Sequence, residues 1–195
     1  DYRLTRFAAE RVEIIKNQTS KITNCSLLDV GCWTGWFLEA AKKSGFVVSG
    51  HDFSEPLAKF TSNRLGIKVY SGDLANIKTK FHFITAFDVL EHVPDPVPFI
   101  NRLKNLLLNN GMILLYTPNA DSFALGIGGT KSNLVLPSLH LTYFNKVSIH
   151  KLAEQTKFTV TYFGTHGIDI GDMKALSEWN GIAAISLEKW QALAD

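Results

Sequence analysis

Apolar residues fall in short clusters separated by amphipathic stretches, and this rhythm predicts most of the chain. A mixed-charge helix is expected over roughly 3–21. Ser26-Leu27-Leu28-Asp29-Val30 is a brief apolar run closed by Gly31 and reads as a buried strand. Residues 36–44, with Trp36, Phe37, Leu38, Ala40 and Ala41, suit a helix ended by Gly45. Phe46–Gly50 is a second strand, and Ser54 caps a helix that runs to Leu65 and stops at Gly66. Ile67–Tyr70 and Phe81–Phe87 are strands three and four. Pro96–Leu108 is a helix and Gly111–Tyr116 a fifth strand.

Strand–helix alternation with apolar, β-branched strands predicts an α/β fold, a doubly wound, mostly parallel sheet covered on both faces. Residues 118–139 break the rhythm with Pro118, Gly126, Gly128, Gly129 and Pro137, and so long an irregular stretch reads as functional or mobile. A helix over Lys146–Thr156 and a strand over Phe158–Phe163 follow. The tail from Asp172 to Ala194 places Leu176, Trp179, Ile182, Ile185 and Trp190 on one helical stripe. With no repeat or low-complexity linker, 1–195 reads as one domain: an N-terminal helical segment at 1–25, an insert at 118–145 and a helical tail at 166–195.

The 195 residues are 46% hydrophobic, which supplies a full core and excludes a disordered chain or a disulfide scaffold. Twenty Lys and Arg against 18 Asp and Glu give +2, so bulk charge offers no case for nucleic acid or an anionic membrane surface. Two cysteines form no four-ligand zinc site and point to a reducing, cytosolic setting. No apolar run is long enough to span a bilayer, and the basic start lacks the apolar core of a signal peptide. No clustered acid or histidine set in the sequence suggests a metal.

Ligands of open parallel sheets sit beyond the carboxyl ends of the strands. Strand one ends in Gly31-Cys32-Trp33-Thr34-Gly35, a turn in which two glycines allow tight folding and close approach of backbone to a ligand. A dinucleotide fingerprint would require glycine where the chain has Trp33 and Trp36, which disfavours a nicotinamide oxidoreductase. Asp52 follows Gly31 by 21 residues, the interval at which such folds present a carboxylate to ribose hydroxyls. After strand three, Asp73 offers an acceptor for an exocyclic amine and Leu74 an apolar surface for a base. Together these strand ends describe a nucleoside site without a phosphate cradle.

The ordered motifs resemble those of class I S-adenosylmethionine-dependent methyltransferases, in particular the type-11/type-23 group. Leu28–Leu38 is similar to their first motif, Gly50–Ser54 to the second and Gly72–Leu74 to the third. Phe87-Asp88-Val89-Leu90-Glu91-His92-Val93-Pro94-Asp95-Pro96 resembles the signature after strand four, Asn109–Asn119 the strand-five segment, and His140–Asn145 an "HLxxF" element of small-molecule members. The resemblance spans residues 27 to 165.

It implies a Rossmann-like fold and S-adenosylmethionine as cofactor, with S-adenosylhomocysteine as product. It also implies that Asp29, Gly31 and Gly35 hold the methionine end, Asp52 the ribose, Asp73 and Leu74 the adenine, and that Phe87 faces the methionine amine. Cys32, Trp33 and Phe53 complete the implied cofactor-binding set. His92 and His140 would lie near the methyl acceptor, one of them taking a proton if the acceptor is a hydroxyl. The 118–145 insert would lie on the substrate side. The sequence departs from the family pattern in Trp33, which replaces the middle glycine, in His82, which stands where Asp is common, and in lacking a clear seventh, antiparallel strand.

Each residue also has a plainer reading. Asp52 could cap a helix, although Ser54 is better placed, and Asp73 could be a turn residue. Glu91 reads as structural, His140 equally well as a surface histidine, and the two indoles either as core or as a wall for a sulfonium cation. No Asp or Glu occurs from Ser122 to Ala153, while Lys131, His140, Lys146, His150 and Lys151 do, which would suit an anionic acceptor. The expected partner is a small-molecule methyl acceptor, a sugar or nucleotide-linked sugar, with no nucleic acid and no membrane span. The alternatives are an inactive methyltransferase-like binding domain and a methyltransferase acting on a quinone-type lipid precursor. The sequence leaves the oligomeric state open.

Overall fold

The computed structural model describes residues 2–19, 24–122, 125, 126, 129, 132 and 135–165. Packing divides the chain into two units, 1–90 with 95–116, and 91–94 with the chain from 117 onward. The elements of the first are α1 (Tyr2–Asn17), β1 (Ser26–Val30), α2 (Trp36–Lys43), β2 (Val47–Asp52), α3 (Glu55–Leu65), β3 (Val69–Ser71), β4 (Phe81–Phe87), α4 (Pro96–Asn105) and β5 (Leu107–Tyr116).

The five strands form one sheet in the order β3-β2-β1-β4-β5, and every ladder is parallel. Winding therefore reverses between β1 and β4, and right-handed crossovers on either side of that point carry helices to both faces. Leu27, Leu28, Ile84 and Ala86 are fully buried in the central strands, with Leu38 and Ala41 of α2. In α1, Ala8, Val12 and Ile15 are buried at helical spacing.

Local chemistry sets the boundaries. The Ser54 hydroxyl accepts from the Leu57 amide at the start of α3, and Gly66 ends that helix at φ 60°. Asp95 caps α4 through the Val97 amide. The apolar run 106–108 looks helical in sequence, yet α4 stops at Asn105 and β5 starts at Leu107, which pairs with Phe81. Ladder pairing outweighs helical periodicity there. The β4–β5 register shifts between Phe81 and Phe83, accommodating the extra residues.

In the second unit, α5 (Lys146–Gln155) opens with a capping box between Asn145 and Ser148. Phe158–Phe163, expected as a strand, forms no ladder among the described residues. Its alternating, β-branched composition suits a strand, but a strand needs a neighbouring strand, and among the described residues no strand pairs with it. The helical tail expected at 166–195 lies outside the described residues, and among those described there is no antiparallel closing strand. No described helix is long and apolar enough to cross a membrane.

Candidate functional site

Parallel strands put all their carboxyl ends on one edge of the sheet, so β1, β2, β4 and β5 deliver their last residues to the point where winding reverses. Beyond β1 the chain turns sharply. Gly31, Trp33 and Gly35 all have positive φ, at 72°, 46° and 80°. A Cβ on Gly31 would meet Val89 Cγ2 at 2.5 Å, so this glycine is required by space as well as by backbone. Trp33 tolerates the left-handed region because its environment holds it from both sides. Its amide donates to Asp52 Oδ2 at 3.0 Å, and its carbonyl accepts from the Thr61 hydroxyl. Arg64 pins the next carbonyl, that of Thr34, at 3.0 Å and pairs with Glu39.

Asp52 is nearly buried, and its other oxygen accepts from the Ser54 amide at 2.9 Å. Two backbone amides thus fix the carboxylate, while each oxygen retains a second lone pair for a ligand hydroxyl. The Trp33 indole is 55% exposed and Phe53 is 82% exposed, so neither belongs to the core. Cys32 is buried, and its thiol is pushed up to about 12 by burial and then by Asp29 and Asp52. It is therefore an inert packing group; its Sγ would lie 2.8 Å from a Cβ at Gly50.

Asp73 begins the single-turn helix Leu74–Asn76. Its Oδ1 accepts both from the Ala75 amide and from Arg102, and Leu74 beside it is buried. His51 Nε2 meets the Gly72 carbonyl at 2.7 Å. A carbonyl can only accept, so the ring donates from Nε2 and pins the Asp73 turn to β2. Burial lowers the pKa of His51, which favours the neutral ring.

Asp29 lies wholly inside, and burial raises its carboxyl to about 7 against the lowering effects of the Thr85 hydroxyl, which donates to it at 2.6 Å, and of Arg11. His82, the second departure, is structural: its Nδ1 accepts from the Ser26 amide and hydroxyl.

At the ends of β4 and β5 a cleft of about 350 Å³ is lined by Phe7, Ala8, Arg11, Trp36, Phe37, Asp88 and Tyr116. Phe87 lies edge-on to Phe37, and the Arg11 guanidinium stands over both the Phe87 and Tyr116 rings. Asp88 has φ 54°, and its amide donates to the Tyr116 carbonyl. Arg11 was not visible as a site residue in sequence. The available signal was a cation, one of four on α1, next to Val12 in the Ala8–Val12–Ile15 stripe.

In the second unit, Glu91 is buried, accepts from the Thr117 hydroxyl at 2.9 Å, and its carbonyl receives the amides of Leu141 and Thr142. The structural reading of Glu91 therefore holds. His92 Nδ1 lies 2.8 Å from the Leu139 carbonyl, so it donates there and leaves Nε2 as the basic nitrogen. The His92 and His140 rings are 5.0 Å apart. Sequence offers no clustered metal-ligand set, yet folding brings one donor atom each of Glu91, His92 and His140 within 4.8 Å of one another.

Residues 2–162 match the family described as a methyltransferase domain. The ubiquinone biosynthesis O-methyltransferase of Histophilus somni is 33% identical over an alignment of 122 residues that covers 56% of this chain and 51% of that protein. The chain thus spans about half the length of the curated relatives it matches. Magnesium protoporphyrin IX methyltransferase from Synechocystis PCC 6803, solved with bound S-adenosylhomocysteine, superimposes with a TM-score of 0.65 at 17% identity. That alignment covers 84% of this chain and 77% of the other. The amino pentose methyltransferase CalS10 from Micromonospora echinaspora gives a TM-score of 0.51 at 22% identity, over 57% of this chain and 50% of the other.

Proposed function

Because the chain belongs to the methyltransferase domain family, we propose that it binds S-adenosylmethionine at the strand ends of its sheet and methylates a small molecule. The observation that carries this reading is the Asp52 carboxylate, fixed by the Trp33 and Ser54 amides beside the Gly31–Gly35 turn. The residues fit the cofactor. A carboxylate with lone pairs to spare suits a ribose diol, a glycine turn suits close approach of an amino-acid chain, and no phosphate cradle is needed.

When bound, S-adenosylmethionine supplies a methyl group already activated on a sulfonium. The protein's task is then alignment and exclusion of water. In this reading Asp29, Gly31, Cys32, Trp33 and Gly35 form the methionine-side turn. Asp52 and Phe53 serve the ribose, Asp73 and Leu74 serve the adenine, and Phe87 faces the amine. His92 or His140 takes the proton of a hydroxyl acceptor; the Leu139 carbonyl already sets His92 in the tautomer with a basic Nε2.

The acceptor in this reading is a sugar or nucleotide-linked sugar, supported by the acid-free stretch from Ser122 to Ala153. A phenolic, quinone-type precursor is the second reading, supported by relatives named as ubiquinone biosynthesis O-methyltransferases. Incubation with S-adenosyl[methyl-14C]methionine and matched panels of amino sugars, nucleotide sugars and catechols tests both. Label transferred to one class selects the acceptor. Cofactor binding with no transfer to any acceptor would favour an inactive binding domain, and absence of binding would contradict the proposal.

A further inference from the structure

His51, the last residue but one of β2, is bound at both ends. Its backbone carbonyl accepts the amides of Gly31 and Cys32 at 2.8 and 2.9 Å, which seats the glycine turn on β2. Its ring donates from Nε2 to the Gly72 carbonyl at 2.7 Å, past the end of β3. Its neighbour in the chain is Asp52. The Gly72–Leu74 turn needs such a tie. β3 is three residues long, lies at the edge of the sheet and makes its last ladder pair at Asp52 and Ser71. Gly72 follows with φ 76° and open space where a Cβ would stand, so neither ladder nor packing fixes it. On the outer side Asp73 pairs with Arg102, but both side chains are about half exposed, and such pairs restrain little.

Packing alone does not account for an imidazole here. The residue is 5% exposed, and its Nδ1 is buried with no hydrogen-bond partner among the described residues. A stranded buried acceptor costs at least as much as one neutral hydrogen bond returns. A phenyl ring would fill the space and strand no nitrogen, so what the histidine adds is the bond to Gly72. Resting on the S-adenosylmethionine reading above, we propose that His51 is a positioning residue that fixes the adenine-side turn against Asp52, so that base and ribose are read as one rigid unit. Without the ring bond, Asp73 and Leu74 move independently of Asp52. Recognition of the exocyclic amine is then lost, while recognition of the ribose stays.

Calorimetric titration of the full chain with S-adenosylhomocysteine, S-inosylhomocysteine and the 2′-deoxy form of S-adenosylhomocysteine tests this. Inosine lacks the exocyclic amine, and a charge-assisted bond to that amine contributes about 10- to 100-fold, the preference expected of the wild type. His51→Phe is expected to cut the preference for adenine over inosine to within about threefold and to keep the preference for the intact ribose. His51→Gln, which can still donate to Gly72, should retain most of the adenine preference. An undiminished adenine preference in His51→Phe would overturn the inference and leave the cofactor reading intact, and so would an equal loss for all three ligands. A second measurement needs no variant. In wild type labelled with 15N-histidine, the His51 ring is expected to carry its proton on Nε2, and S-adenosylhomocysteine should protect that proton from exchange more than S-inosylhomocysteine does. A proton on Nδ1, or equal protection by both ligands, would overturn the inference. Equal wild-type affinity for the adenine and inosine ligands would overturn the adenine role of Asp73 and this inference with it. Failure of the wild type to bind any of the three would overturn the cofactor reading itself.

Discussion

The sheet unit and the loop-rich unit place their polar groups by different means. In the first, Asp29, Asp52 and Asp88 sit in or just past the last residues of strands, and parallel pairing brings them to one edge of the sheet. In the second, Glu91, His92 and His140 come together because the Glu91 carbonyl receives Leu141 and Thr142 and His92 reaches Leu139. The first arrangement is repeated at every strand and is announced by apolar runs. The second depends on individual bonds between segments nearly fifty residues apart. A site on strand ends should therefore be stiff and sensitive to charge and space, whereas a site built by loop ties should yield locally.

The largest expected effect concerns charge in the sheet. Asp29 has its carboxyl raised to about 7 by burial, above its ordinary 3.8. The folded state thus holds a proton that the unfolded chain releases from about pH 4, and stability declines as pH rises between about 4 and 7, then levels. The slope approaches roughly 1.4 kcal/mol per pH unit, of order 4 kcal/mol in all. Urea unfolding at pH 5 and pH 8 should show this decline in the wild type, and Asp29→Asn should flatten it. A wild type equally stable at both would break the contrast between the units.

Space comes next. Gly31→Ala meets Val89 and a φ of 72°, and a loss of about 3 kcal/mol is expected in thermal unfolding. In the loop-rich unit, Glu91→Ala deprives the Thr117 hydroxyl of its acceptor at a cost of about 2 kcal/mol. Hydrogen exchange at the Leu141 and Thr142 amides should rise first, sharpening the picture of local yielding. The smallest effect is a gain. α3 ends on Gly66 at φ 60°, whereas α5 is followed by Lys157 at φ 58°, so Lys157→Gly should stabilise by about 0.5–1 kcal/mol in the same thermal assay.

Legibility followed the same division. The strands themselves, the caps at Ser54 and Gly66 and the Gly31 turn could be read because local sequence determines them, although β2 runs on to Asp52 and β3 to Ser71, past the Gly50 and Tyr70 expected. The α4–β5 boundary could not, since the Leu107–Phe81 pairing that fixes it lies outside the local pattern. The same reason applies to Phe158–Phe163, whose composition suits a strand but which forms no ladder among the described residues. Asp52 was expected as a diol acceptor; the Ser54 amide two residues on is a usual aspartate partner, but no spacing rule signals the Trp33 amide, 19 residues before it. Arg11 was missed because a helix of mixed charge hides one cation among several, and only packing against Phe87 and Tyr116 distinguishes it. The meeting of Glu91, His92 and His140 is likewise a product of loop closure.

The central claim is that Asp52, held by two amides at the end of β2, receives the ribose of an adenosyl cofactor. Isothermal titration of S-adenosylhomocysteine into the wild type and Asp52→Asn tests it most directly. The account predicts one site per chain in the wild type, binding weaker by about 10- to 100-fold in the variant, and no comparable affinity for NAD. Equal affinity in both proteins, or tighter binding of NAD than of S-adenosylhomocysteine, would contradict it.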